Sequence, residues 1–494
     1  MAKEKTKEKR TALVVGTGLI LYAGALALRR ETVPSGLNND VAEEALRGLA
    51  LLASGRFEPI TTVIGNSAET LYLYLEALSV AVLSPTTLAL QALSGLCGLL
   101  CVALLVAVAR RVDRAIPVHL PLLAGATSVW LFHYARAGLR AIAAPLFLLA
   151  FTYFLLGSRE SRRDALAAGA VLGLGIYAYT AFRVVPLAWV LWVAFELWTS
   201  RDRRSALRSA ATTAAAAFVV SLPNLLYAIE APREFFLRGS YALQGGLLRN
   251  LGATLFLPFG TLDSYDAIAG PHHFFDGVAV SLTLAGIHPL HPLVTLVALV
   301  GLVSVLRTGA ARFPLFALAT GFLLLGATGP SLTRLLVLLP VVLLLAAIGA
   351  ARLPFALALA LFAVVAGSHG YAYFSTFASD AEAQRYFSPA ATPMGNRARS
   401  LAGEGAKVLC VVAKDASVVR YLTHGLGDRA AVVELSGPRP TGLEDAFYGL
   451  FGRSGAGVVL LDSALPLAPS AFPGFLSASE RGPFKEIRIG PRQE

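Results

Sequence analysis

Long apolar runs separated by short charged stretches fill the chain from residue 12 to 372. A helix needs roughly 17–25 mainly apolar residues to cross a hydrocarbon core, and the pattern yields about eleven such segments. They fall at 12–28, 86–109, 115–133, 140–157, 165–181, 184–199, 209–229, 281–306, 313–329, 332–350 and 353–372. Pro289 and Pro292 interrupt the 281–306 run, which predicts a kink or an interfacial start there. Beyond about residue 400 the pattern shortens. Lys407–Ala413, Ala431–Leu435, Gly457–Asp462 and Phe484–Ile489 read as strands, and Ala416–Gly425 and Leu443–Gly452 as helices of a small α/β unit. The expected fold is a polytopic α-helical membrane protein, residues 1–372, followed by a small extracytoplasmic α/β domain, residues 373–494.

Composition agrees with that pattern. Of 494 residues 56% are hydrophobic and only 15% charged, too little charge to cover a soluble protein of this length and too much apolar surface for disorder. The net charge of +11 raises nucleic acid or an anionic membrane as partner, and position decides between them. Lys3 to Arg10, Arg110/Arg111/Arg114, Arg159/Arg162/Arg163, Arg201/Arg203/Arg204/Arg208, Arg307/Arg312 and Arg352 fall on every second connection. These segments hold 18 of the 42 Lys and Arg residues and six of the 31 acids, so the whole excess of +11 lies in them. The positive-inside rule then puts the N-terminus in the cytoplasm and, after an odd number of spans, the C-terminus outside. The charge describes orientation in a plasma (inner) membrane and gives no sign of a nucleic-acid partner. The first apolar stretch is longer than the ~7–15 residues of a secretory signal, so it reads as a retained anchor.

Three long segments are expected on the outer face: 30–85, 230–280 and the tail from 373. Chemistry is expected there, because the cytoplasmic connections are short and neither GxxxxGK[ST] nor GxGxxG occurs. Cys97 and Cys101, four apart in an apolar run, read as packing residues, and Cys410 stands alone in the tail. Lysine is confined to the first nine residues and to Lys407, Lys414 and Lys485, so every cation of the membrane part is arginine, suited to bidentate phosphate contacts.

The first outer segment gathers acids. On a helix Asp40, Glu43 and Glu44 share one face, while Val41, Ala45, Leu49 and Leu52 form another. Asp40 with Glu43 also fits a capping box, and Glu44 with Arg47 a solvated helix pair. Glu69 opens an apolar, tyrosine-bearing stretch, Glu69 to Leu75, where it suits the positive end of a helix dipole. Arginines meet aromatics where spans reach the same side: Arg136 and Arg140 after Phe132-His133-Tyr134, Arg183 after Tyr177-Ala178-Tyr179, and Arg334 after Gly329-Pro330. Charge at membrane depth faces a cavity or a partner, and four arginines opposite a carboxylate loop point to an anion such as a lipid phosphate. Belt anchoring by Tyr177 and Tyr179 and snorkelling by the arginines are the plainer alternatives. Arg238 is a weaker candidate. His272, His273 and Asp276 read as a polar loop, so a divalent metal is not indicated.

In order and placement these features resemble the GT-C type integral-membrane glycosyltransferases, in particular the protein O-mannosyltransferase and aminoarabinose transferase family. The resemblance rests on the acidic loop at Asp40, Glu69-Thr70-Leu71-Tyr72-Leu73-Tyr74-Leu75, Tyr134 to Arg140, Ile176 to Arg183, Gly270-Pro271 to Phe275-Asp276, and Arg334 to Pro340. It implies transfer of a sugar from a polyprenyl-phosphate donor to a hydroxyl acceptor on a protein, lipid or glycan, outside the cytoplasm and with inversion. It also implies a base at Asp40, with Glu69 second. Where the family often has two adjacent acids, Val41 follows Asp40, leaving Glu43 or Glu44 to supply the second. A transporter or flippase of an anionic or lipid-linked substrate is the main rival. It would show internal repeats and charges at mid-membrane depth, neither of which the sequence displays.

Overall fold

The computed structural model describes residues 2–63, 66–233, 235, 247–259, 277–308, 312–327, 331–435, 442–452 and 456–490. Arg238, the Gly270 to Asp276 loop and the Gly329-Pro330 pair therefore lie outside the described residues.

Each predicted span contains helix among the described residues. The chain begins with α1 (Ala2–Ala27), then α2 (Asn39–Ser54), the hairpin β1 (Ile60–Val63) and β2 (Asn66–Glu69), and α3 (Leu71–Leu83). Next come α4 (Thr87–Val112), α5 (His119–Ala126), α6 (Val129–Ala137), α7 (Ala143–Gly157), α8 (Arg162–Gly175), α9 (Val184–Thr199) and α10 (Arg203–Glu230). The second half holds α11 (Leu247–Phe256), α12 (Gly277–Leu284), α13 (Pro292–Thr308), α14 (Arg312–Ala327), α15 (Leu339–Ala350) and α16 (Phe355–Tyr371). Among the described residues seven helices are long and apolar enough to cross a membrane. The other predicted spans are shorter or broken. The 281–306 run divides into α12 and α13 around Pro289 and Pro292, as the prolines imply. The 115–133 run, read as continuous, breaks at Thr127 because the Ser128 side chain accepts from Leu131 N and caps a new helix.

Close helix crossings use glycine. A Cβ on Gly301 of α13 would run into the Leu345 carbonyl of α15, and one on Gly349 of α15 into the Val297 carbonyl of α13. At the end of the bundle that carries the basic connections, Arg111 pairs with Asp164 at 3.0 Å and Arg159 with Glu196 at 2.8 Å. The opposite end carries α2, the hairpin and α3. The hairpin escapes the sequence pattern because its strands are only four residues long; Glu69, expected to open a helix, ends β2 instead.

The tail continues with α17 (Ala391–Gly403), β3 (Val408–Val412), α18 (Ala416–Leu422), β4 (Ala430–Glu434), α19 (Leu443–Phe451), β5 (Gly457–Asp462), β6 (Phe475–Glu480) and β7 (Phe484–Ile489). Strand order is β4-β3-β5-β7-β6, with β3 parallel to β4 and β5, and β7 antiparallel to β5 and β6. Four of the five strands and both helices of the sheet region match the pattern reading. Edge strand β6 is exposed along its whole length, so no apolar alternation marks it. Arg397 of α17 holds buried Glu486 of β7 through two bonds of 3.0 and 3.2 Å. Those bonds hold the Glu486 carboxyl below its usual range against the opposing effect of burial.

The tail is not packed on itself alone. One apolar core joins Leu37, Val41 and Ala45 of the first connection, Val80 of α3 and Leu90 of α4 to Met394, Val419 and Leu422 of the tail. Helix α18 lies on α2, and Tyr421 donates to the Thr86 carbonyl at 3.0 Å.

A Gly301→Leu variant should lose ~1–3 kcal/mol or more through forced separation of α13 and α15. Gly367→Leu should be neutral, since nothing lies within 4 Å of a Cβ placed there. Thermal unfolding of the two variants in detergent checks the contrast.

Candidate active site

Helix α2 begins where Asn38 accepts a 2.9 Å bond from the Asp40 amide, so the cap is Asn38 and not the predicted Asp40. Asp40 stands exposed on the first turn. The three acids then diverge. Glu43 turns to the tail and accepts from the Ser417 hydroxyl of α18, whereas Glu44 turns inward and is 6% exposed.

The inward partner is Arg140. Helix α6 ends at Gly138, whose φ of +86° is left-handed, and the chain reverses into a short 3-10 turn that carries Arg140 beneath α2. A side chain at Gly138 would press on Val41. Arg140 Nε meets Glu44 Oε1 at 2.6 Å and its Nη1 meets Glu69 Oε2 at 3.0 Å, with the guanidinium centred 5.5 Å from the Tyr179 ring. The other oxygen of Glu69 accepts from Thr180 Oγ1 at 2.6 Å and from Arg183 Nη2 at 3.2 Å. Glu69 and Arg140 are 2% and 3% exposed. Antiparallel pairing of Glu69 with Ile60 sets the height of that carboxylate. The join between β2 and α3 is fixed further, since Leu71 N donates to the Tyr177 carbonyl at 3.1 Å.

Of the predicted residues, the structure thus brings together Glu44, Glu69, Arg140, Tyr179 and Arg183. It places others elsewhere. Arg136 is buried and donates to the carbonyls of Ala25 and Leu26 at 3.1 and 2.7 Å and to that of Val33, so it closes the C-terminal end of α1. The Tyr177 hydroxyl enters α10 at Pro223: it donates to Val220 O at 3.0 Å and accepts from Asn224 N at 3.1 Å. A ring hydroxyl thereby stands where a helical backbone bond would run. Arg334 is half-buried in a short helix capped by Ser331, and neighbouring Thr333 bonds Tyr134 at 2.6 Å.

Thr180 is a partner the sequence reading passed over. It lies inside the Tyr177 to Arg183 phrase, but a hydroxyl carries no signal until its carboxylate is known. Arg47 was read as a partner of Glu44. It instead bonds Glu58 at 2.9 Å and Thr61 at 2.6 Å, on the wall of a cleft of about 710 Å³ between the hairpin and the end of α10. Phe57, Tyr227 and Glu230 also line that cleft. Among the described residues no three His, Cys, Asp or Glu side chains are grouped to hold a metal ion.

Chemically the cluster is a clamp. Glu44 and Glu69 are buried and engaged by arginine, so they hold α2, the hairpin, the turn before α7 and the turn before α9 in one geometry. Arg183 is part-exposed on the edge of the clamp, with its guanidinium 4.2 Å from the Phe235 ring centre, and Asp40 is exposed one helical turn before Glu44 on α2. Breaking the clamp should be costly. Arg140→Met, which takes the guanidinium from buried Glu44 and leaves Glu69 with Arg183 alone, should destabilise the protein by ~3–5 kcal/mol. Arg47→Met, at a half-exposed pair, should cost at most about 1 kcal/mol; unfolding midpoints of both variants measure the difference.

No family model matches the sequence, and no curated protein matches it. The fold does have solved counterparts. ArnT from Cupriavidus metallidurans bound to undecaprenyl phosphate superposes with a TM-score of 0.57 at 13% identity, covering 95% of this chain and 97% of that one. Its apo form gives 0.56 at 13% identity, covering 96% and 98%. The archaeal oligosaccharyltransferase AglB from Archaeoglobus fulgidus, in complex with an inhibitory peptide and a dolichol-phosphate, gives 0.50 at 11% identity, covering 91% of this chain and 69% of that one. At such low identity the likeness is one of fold, and nearly the whole chain, tail included, shares the fold of these membrane proteins.

Proposed function

We propose that this protein is a membrane glycosyltransferase that takes a sugar from a polyprenyl-phosphate carrier and passes it to a hydroxyl acceptor on the extracytoplasmic face, with inversion. The observation that carries the reading is the clamp. Arg140 with Glu69, Arg140 with Glu44 and Arg183 with Glu69 join residues 71, 96 and 114 apart in the sequence at the end of the bundle opposite the basic connections, and Asp40 stands exposed on α2 one helical turn before Glu44. A fold shared over nearly the whole of this chain with a protein crystallised with bound undecaprenyl phosphate, and with one in complex with a dolichol-phosphate, supports the choice of donor.

In this reading Asp40 is the general base, removing the acceptor proton as the oxygen attacks the anomeric carbon. The departing lipid phosphate gains charge, and this reading assigns its stabilisation to Arg183 and Arg334, both part-exposed. Arg140, Glu44 and Glu69 act by holding α2 and the hairpin in position rather than by touching substrate. The prenyl tail lies along the bundle in the membrane, which keeps the reaction at the lipid surface. By the positive-inside rule the basic connections and the N-terminus are cytoplasmic and the tail extracytoplasmic. The tail, residues 373–494, serves as a brace for α2 through Glu43–Ser417 and the shared core.

Asp40→Asn should reduce sugar transfer ~10²–10⁴-fold, the usual contribution of a general base, while leaving the unfolding midpoint close to that of the parent protein. The assay is transfer in membranes supplied with polyprenyl-phosphate sugars. Unchanged rates would remove Asp40 from the mechanism.

A further inference from the structure

Glu76 has no place in the mechanism above, yet it is the most deeply buried acid of the first connection. It lies midway along α3 with 0% exposure, and among the described residues neither carboxyl oxygen has a hydrogen-bond partner. A buried polar group left in that state is rare in native proteins, and an ionised one rarer still.

The surroundings identify which form the site accepts. Helix α3 packs on α2 and α4. The titratable groups that face Glu76 are Glu44 from α2, Arg140 from the turn before α7, Tyr72 one turn earlier on α3 and Tyr421 from α18 of the tail; Tyr72 in turn faces Cys97 of α4. Arg140 already bonds Glu44 and Glu69, and Arg183 bonds Glu69. With Glu76 ionised, three buried carboxylates would share two guanidinium groups. With Glu76 protonated, the two remaining carboxylates match the two guanidinium groups. Burial first, and then the charge of Glu44, push the Glu76 carboxyl well above its ordinary range, against the pull of Arg140.

We propose that Glu76 is a positioning residue that packs as a neutral acid where α2, α3 and the tail helix meet, so that loss of its proton loosens the joint from which Asp40 projects. The proposal stands on the packing of this joint and is independent of the reaction assigned to it. Its sign follows from linkage. The unfolded chain ionises Glu76 near the ordinary value of 4.5, whereas the folded chain keeps the proton to higher pH. The stability this group contributes is therefore full below that value and is lost progressively as pH rises toward the raised one.

The test uses the full-length protein in lipid nanodiscs. Unfolding midpoints are measured from about pH 5 to about pH 9 for the parent protein and for Glu76→Gln, which mimics the protonated acid. The curves should meet near the acid end, and the variant should unfold about 5 °C or more above the parent at the alkaline end. Parallel curves, or a variant that is less stable by a constant offset, would overturn the proposal. A second measurement guards against a variant that does not fold. The parent protein at neutral pH should show an infrared carbonyl band of a protonated carboxyl that disappears in Glu76→Leu, and absence of that band in the parent would also overturn it. Neither readout involves sugar transfer, so a negative result here leaves the proposed activity standing, and an inactive preparation leaves this test intact.

Discussion

The buried contact of Arg140 with Glu44 and Glu69 is the constraint on which the end of the bundle opposite the basic connections depends. Desolvating a guanidinium and two carboxylates is expensive, and the arrangement persists only where geometry and further donors are good. Here they are. Arg140 presents different nitrogens to the two acids, Thr180 and Arg183 occupy the remaining oxygen of Glu69, and the Tyr179 ring lies beside the guanidinium. Each partner comes from a different element: α2, the end of β2, the turn before α7 and the turn before α9. A shift in any one of these would leave a charge without its counterpart, so the network fixes position more than it adds stability.

The rest of the structure delivers these groups to one place. Gly138 turns the chain sharply enough for Arg140 to point back under α2. Arg136, two residues before that glycine, closes the carbonyl end of α1, so neighbouring arginines on one turn serve opposite walls. Tyr177 fixes the level of the β2–α3 join through its carbonyl while its hydroxyl enters α10 at Pro223. The tail then closes the other side of α2. Its helices share an apolar core with α2, α3 and α4, and Ser417 occupies Glu43. The small α/β unit is therefore part of what holds the acidic helix in place, although its sequence carries no motif for chemistry.

Much of this was legible beforehand. Apolar run length located all seven helices that, among the described residues, are long enough to cross a membrane, because a helix in a membrane must satisfy its own backbone and cover a set thickness. The prolines announced the break between α12 and α13. The break at Thr127 went unread because a serine cap inside an apolar run is a local signal too weak to stand out. Strand β6 and the hairpin escaped for a related reason: one lacks a buried face and the other is too short to show a period. At the site, residue types and the approximate end of the molecule were readable, since charges are rare in such a sequence. Roles were not. Asp40, Glu43 and Glu44 lie within five residues and look equivalent on a helical wheel, yet one is exposed, one meets the tail and one is buried on arginine.

The sequence alone determined the class of the molecule, its alternation of basic and non-basic connections and the set of charged side chains that are candidates for chemistry. Those properties depend on composition and local periodicity, which are written along the chain. Only the tertiary structure decided which acid meets which arginine, that Arg136 binds backbone, that Arg47 joins Glu58 instead of Glu44, and that Glu76 is buried without a hydrogen-bond partner among the described residues. Pairing is a matter of distance between segments far apart in the sequence, 114 residues for Glu69 and Arg183. Distances of that kind are set by the packing of whole helices, and no local pattern encodes them.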